Sequence, residues 1–230
     1  QTALMGMSKP MVFDGIDDAV VLDSNITNAV AGGYTISFWA KRASTSTFDC
    51  VIGNSGDANK KFIQFDSDGN LVIESDTEGD VATGDLVSDD TDWHHYAVVV
   101  KDAAGTVIYQ DGSSVTVSGD ADDDDLTINR IGIKSSSSNP FVGLLNELSI
   151  WSTALSLAEV QELFNDGVAL DATAHSKEAN LKGYWRNDGA STWSNKVLTS
   201  NVVTINEGAE YSDSDVTLTV NNGALVSVND

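Results

Sequence analysis

The sharpest candidate for a ligand site in the chain is Asp14, Gly15, Asp17 and Asp18, three carboxylates crowded onto one glycine turn. A hard divalent cation such as calcium takes six to eight oxygens, mixing carboxylates with backbone carbonyls, and a short acidic turn offers both. The same residues equally suit a turn that only ends a strand, with Gly15 at positive φ and Asp17 capping backbone amides. Both readings stand on the sequence. Asp66-Ser67-Asp68-Gly69-Asn70 alternates as a calcium loop does. It lacks the closing glutamate and flanking helices of such a loop, however, and reads as a hairpin turn. The run from Asp122 to Asp125 reads as a solvated loop.

Catalytic chemistry has no comparable signpost. Glycoside hydrolysis takes two carboxylates facing one bond, and a strand presents them to one side only at alternate positions. Glu147 is followed by Leu148, Ser149 and Ile150, so no second acid lies within reach on its strand. One acid cannot both protonate a leaving group and act as nucleophile. The chain is therefore expected not to be an enzyme. His94 and His95 are adjacent on a strand, point to opposite faces and cannot share a metal; His175 lies in a polar loop. The single Cys50 can form no internal disulfide and reads as a buried small apolar residue. Trp39, Trp93, Trp151 and Trp185 fall in strand patterns and belong to the core. Trp193, in Ser191-Thr192-Trp193-Ser194-Asn195, is the aromatic best placed to meet a ligand, and is as well suited to capping the core edge.

Strands must position these groups. Ala19 to Leu22, Tyr34 to Ala40, His95 to Val100, Thr106 to Gln110, Leu126 to Ile133 and Leu144 to Trp151 are β-rich and mostly alternate. Phe62 to Phe65 and Leu71 to Glu74 flank a glycine turn as a hairpin. Many short strands at roughly ten-residue spacing predict an all-β, two-sheet antiparallel β-sandwich. One short helix is expected, with Ser156 and Glu159 as a capping box, Leu157, Val160, Leu163 and Phe164 as the buried stripe, and Gly167 as the stop.

The 230 residues carry a net charge of −23, from 35 acids against 12 bases. Such a surface repels phosphate backbones and anionic bilayers, so neither nucleic acid nor membrane insertion is expected. No run approaches eighteen apolar residues.

Several segments, in order, resemble the laminin-G-like jelly roll of the concanavalin A-like lectin/glucanase superfamily. They are Phe13-Asp14-Gly15-Ile16-Asp17-Asp18, Tyr34-Thr35-Ile36-Ser37-Phe38-Trp39, Trp93-His94-His95-Tyr96-Ala97-Val98 and the Tyr109 to Gly112 hairpin. Phe141 to Trp151, reading F-V-G-L-L-N-E-L-S-I-W, and the helix after Leu155-Ser156 complete the match. The resemblance implies a concanavalin A-like jelly roll, and would bring Asn146 and Glu147 close to the acidic turn as further calcium ligands. The superfamily's glucanases carry Glu-x-Asp-x-x-Glu on one strand, which this chain lacks. The ending Asn180 to Arg186 is similar to variants found in bacteriophage and marine-virus structural proteins.

The resulting expectation is an N-terminal arm (1–10), a sandwich (11–195) and a C-terminal β extension (196–230) that pairs at home or with a neighbouring subunit. Function is read as a non-catalytic virion module, a decoration, spike or fibre element at the virion surface or outside the cell. Its partners would be other virion subunits or further copies of itself, and cell-surface glycan. The alternative is a calcium-dependent carbohydrate-binding module of a secreted or surface bacterial protein.

Overall fold

The computed structural model describes residues 9–44, 47–56, 62–74, 81–86, 92–102, 105–120, 125–135, 138–186, 194–195 and 203–205. In chain order the first strands are β1 (Met11–Asp14), β2 (Val20–Asn28), β3 (Tyr34–Arg42), β4 (Asp49–Gly53), β5 (Phe62–Phe65), β6 (Leu71–Glu74), β7 (Val81–Asp85) and β8 (His94–Lys101). They continue with β9 (Gly105–Gln110), β10 (Ser113–Ser114), β11 (Thr116–Ser118), β12 (Leu126–Ile131) and β13 (Val142–Trp151). Helix α1 (Leu157–Phe164) follows, then β14 (Leu181–Arg186), β15 (Ser194–Asn195) and β16 (Val203–Ile205).

All pairings are antiparallel, and the strands form two sheets, as expected for the jelly roll. The first runs β10-β9-β8-β3-β13-β14-β15, the second β11-β7-β6-β5-β4-β12-β2-β16. Strand β13 is the hub of the first sheet. One edge pairs with β3; the other is shared end to end by β1, against its first half, and β14, against its second.

Alternation decides what each face buries. Ile36, Phe38 and Ala40 of β3, Val98 and Val100 of β8, and Leu145 and Leu148 of β13 point inward. There they meet Val20, Ile26, Ile52, Ile63, Phe65, Ile73, Ile128 and Ile131 of the second sheet. A smaller cluster lies on the outer side of the first sheet, where Val160 and Leu163 of α1 cover Val99, Tyr109, Trp151 and Tyr184. Trp39 is buried there too, with Phe164 stacked on it at 5.9 Å.

The capping box forms as the sequence specifies: the Ser156 hydroxyl accepts from the Glu159 N–H, and the Glu159 carboxylate from the Ser156 N–H. Two details differ. The helix ends at Phe164, because Asn165 takes the left-handed conformation (φ 46°) and donates to the Gln161 carbonyl before Gly167 is reached. Leu157 is 47% exposed, since the buried sector centres on Val160 and Leu163 and leaves it at the border. In the expected C-terminal extension, β16 pairs with β2. Residues 1–8 of the expected arm, Asp122 to Asp124, Trp193 and residues 206–230 lie outside the described residues.

Candidate functional site

The acidic turn is built by the end of β1. Asp14 sits opposite Val142, and a Cβ on Gly15 would lie 2.8 Å from that of Val142. Close approach and a φ of 79° together call for glycine there. The Asp14 N–H donates to Asp18 Oδ2 at 2.8 Å, and the Ile16 N–H to Asp14 Oδ1 at 2.7 Å. One ligand oxygen from each of Asp14, Asp17 and Asp18 can be chosen so that all lie within 4.8 Å of one another. Asp14 and Asp17 are exposed, while Asp18 is buried.

Asn146 and Glu147 do not join this turn. Strand β13 does run beside β1, but Val142 is the residue that meets Asp14. Four to five further positions at about 3.3 Å each put Asn146 and Glu147 roughly 13–17 Å along the strand. A bulge then re-aims them: the register against β3 shifts between Asn146 and Ser149, and Glu147 has φ 48°. Glu147 thereby faces β14, accepts a hydrogen bond from the Tyr184 hydroxyl and pairs with Arg186 Nε at 3.5 Å. Arg186 Nη1 also binds Asp171, so the guanidinium stands between two carboxylates. Burial first, and then the Glu147 charge, push the Tyr184 pKa well above the usual phenol range.

Glu147 is thus a structural counter-ion. Beside it lies a cavity of about 10 Å³, lined by Ser37, Trp39, His95, Glu147, Ser149 and Leu163 among others. That is room for about one water molecule, far below the hundreds of Å³ that a sugar-sized ligand occupies.

The outer face of the second sheet is different. Among the described residues no helix lies on it, and hydroxyl and carboxamide side chains of β2 and β12 meet there. The hydroxyls of Thr27 and Thr127 are 3.0 Å apart across β2 and β12. Asn129 Nδ2 donates to Asn25 Oδ1 and Ser55 Oγ, both at 3.2 Å, and its Oδ1 accepts from the Ser55 N–H. Residues 132–135 and 138–139 curl back over β4: the Lys134 carbonyl accepts from Asn54 N–H and the Asn139 carbonyl from Cys50 N–H. Asn139 Nδ2 donates to Gln64 Oε1 at 2.7 Å. This cover explains why Cys50 is fully buried, and burial pushes its thiol far above the usual range.

Residues 14–161 match the family profile of the Concanavalin A-like lectin/glucanases superfamily. The chain belongs to this superfamily. Two solved structures share its concanavalin A-like fold. One is a Bacteroides ovatus protein thought to bind carbohydrate, 15% identical, with a TM-score of 0.60 over 89% of this chain and 62% of that one. The chain thus spans less than two thirds of the length of that relative. The other is the heptameric SAP-like pentraxin of Limulus polyphemus, 13% identical, with a TM-score of 0.59 over 91% of this chain and 96% of that one. No curated protein matches the chain.

Within this concanavalin A-like sandwich the two adjacent histidines part as alternation requires. His94 Nδ1 lies 2.6 Å from Asp111 Oδ2. His95 turns under α1, its Nε2 2.7 Å from the Ser37 hydroxyl, and Nδ1 has no hydrogen bond among the described residues. Burial lowers the His95 pKa to about 4, against a weaker opposite pull from Asp111. An unfolded histidine titrates near 6.5. Between those values the unfolded chain holds a proton that the folded chain refuses. The neutral ring's contribution is complete above pH ~6.5 and is lost as pH falls toward 4, a difference of about 3 kcal/mol. Urea unfolding at pH 7 and pH 4.5 should show a larger drop for the native chain than for His95→Gln. Equal drops would contradict it.

Proposed function

We propose that this chain is a non-catalytic, lectin-type module that binds glycan through the open outer face of its second sheet and is displayed on a bacteriophage particle. The observation that carries the binding half is the contrast between the two outer faces. The first is sealed by α1, with Glu147 tied to Tyr184 and Arg186. The second presents hydroxyls and carboxamides, groups that both donate to and accept from sugar hydroxyls. The Bacteroides ovatus relative makes carbohydrate the first ligand class to try. The display half rests on the likeness of Asn180 to Arg186 to phage structural proteins.

The test is retention on a glycan array, with the captured glycan recovered and weighed. Retention with intact glycan is expected; absence of retention, or cleavage, defeats the binding half. For the display half, the protein should co-purify with particles or form an ordered multimer. A monomer never found on particles leaves the secreted or surface module of a bacterium as the better reading.

In either setting the Asp14–Asp18 turn is the proposed calcium site, with Asp14, Asp17 and Asp18 as ligands. Its support is the convergence of the three carboxylates and the oxygen chemistry that calcium prefers. Calcium at a hundredfold excess over its dissociation constant stabilises by about 2.7 kcal/mol. Melting should therefore rise clearly in calcium relative to chelator, and an unchanged Tm would remove the site.

A further inference from the structure

We propose that the outer face of the second sheet carries a subsite for a carboxylate-bearing sugar, centred on Arg130. This rests on the glycan-binding reading above and specifies the ligand.

Bases are scarce in this chain, 12 against 35 acids, so each should find a partner easily. Several do: Lys41 pairs with Asp92, Arg42 with Asp49, Lys177 with Glu159, and Arg186 with Glu147 and Asp171. Arg130 does not. It makes no ion pair or hydrogen bond among the described residues, and its Nε is buried with nothing to donate to. Partial burial also lowers its pKa. Its half-buried guanidinium thus has no counter-charge among the described residues.

Its place on the sheet suits capture of an anion. Arg130 is paired with Val21 on one side and Gly53 on the other, and its side chain lies opposite the inward Ile131. The backbone of Ile133 and Lys134 lies directly over Gly53 and forms a wall one strand away. Beyond it, Lys134 Nζ stands 3.8 Å from the centroid of the Phe62 ring. Nearby on β12, Thr127 and Asn129 add the hydroxyl and carboxamide groups already described. A guanidinium fork binds a carboxylate through two parallel hydrogen bonds, and the flanking polar groups suit ring hydroxyls.

The net charge of −23 argues against long-range attraction of an acidic ligand. Screening confines that repulsion to about 8 Å in physiological salt. Recognition here is a contact effect at one cation that no described residue pairs with, not a field effect.

The experiment is an array of sialylated and uronate oligosaccharides, each beside its own carboxyl methyl ester, probed with the native chain, Arg130→Gln and Lys134→Gln. At least one acidic glycan should be held tenfold or more above its ester. Arg130→Gln should bring that ratio to within about twofold while its Tm stays level, because no described residue pairs with the guanidinium. Lys134→Gln should reduce the ratio less. Esters and acids bound equally by the native chain would overturn the subsite and leave the glycan reading standing. No glycan bound at all would overturn both. A preference that survives Arg130→Gln would place the carboxylate elsewhere. An oligomer that dissociates in Arg130→Gln would instead assign Arg130 to a carboxylate of a second copy, and overturn the proposal.

Discussion

Replacing Gly53 by alanine should lower stability by about 3 kcal/mol, although it adds only one methyl group. The new Cβ would stand 2.4 Å from the Lys134 carbonyl oxygen, 2.5 Å from that of Ile133 and 2.7 Å from Lys134 Cα. All three obstacles are backbone, so no side-chain rotation relieves them and the covering segment must lift. Overpacking of this kind costs about 1–3 kcal/mol, and a backbone obstacle belongs at the upper end. For a chain of this size that is a fall in Tm of roughly 6–12 °C. Gly56→Ala is the control, because only the Asn54 side chain lies near its Cβ, at 3.3 Å. Thermal unfolding of the two variants decides it. If Gly53→Ala melts with the control, residues 133–134 do not lie over β4 as described, and the wall beside Arg130 goes with them.

Arg186→Met should cost about 3–5 kcal/mol, with most of the loss recovered in the double variant Arg186→Met/Glu147→Gln. The single change leaves the Glu147 carboxylate in place at 3% side-chain exposure and without its cation. Stranding one member of a buried pair is far more costly than neutralising both. A glutamine in place of Glu147 can still accept from the Tyr184 hydroxyl. Chemical denaturation of the native chain, both singles and the double variant closes the cycle. Additive losses would show that Glu147 and Arg186 do not act as a pair. That would reopen a catalytic role for Glu147.

The central strands were legible because β-favouring residues fill them and turn residues bound them. Tyr34 to Ala40 and the Phe62 to Glu74 hairpin fall where their patterns put them. Strand β7, Val-Ala-Thr-Gly-Asp, carries too few β-favouring residues to announce itself and exists because β6 and β11 pair with it. The helix start was legible in Ser156 and Glu159, whereas its end depends on Asn165, which takes the left-handed conformation usually left to glycine.

For the site, sequence proximity was a sound guide within the turn, where Asp14, Asp17 and Asp18 do converge. It failed for Asn146 and Glu147, since family likeness located their strand but not the register, and the bulge re-aimed Glu147. Arg130 could have been found as a cation inside an alternating strand of an acid-rich chain. That no described residue pairs with it is a matter of three dimensions only.

The outer face of the second sheet, not that of the first, is where the ligand should meet the protein. Hydrogen exchange of the protein with and without a glycan selected from the array measures this directly. Protection is predicted on β2, β4 and β12 and on residues 133–135, with the glycan unchanged afterwards. Protection confined to α1 and β14 around Glu147, or a shortened glycan, would contradict it.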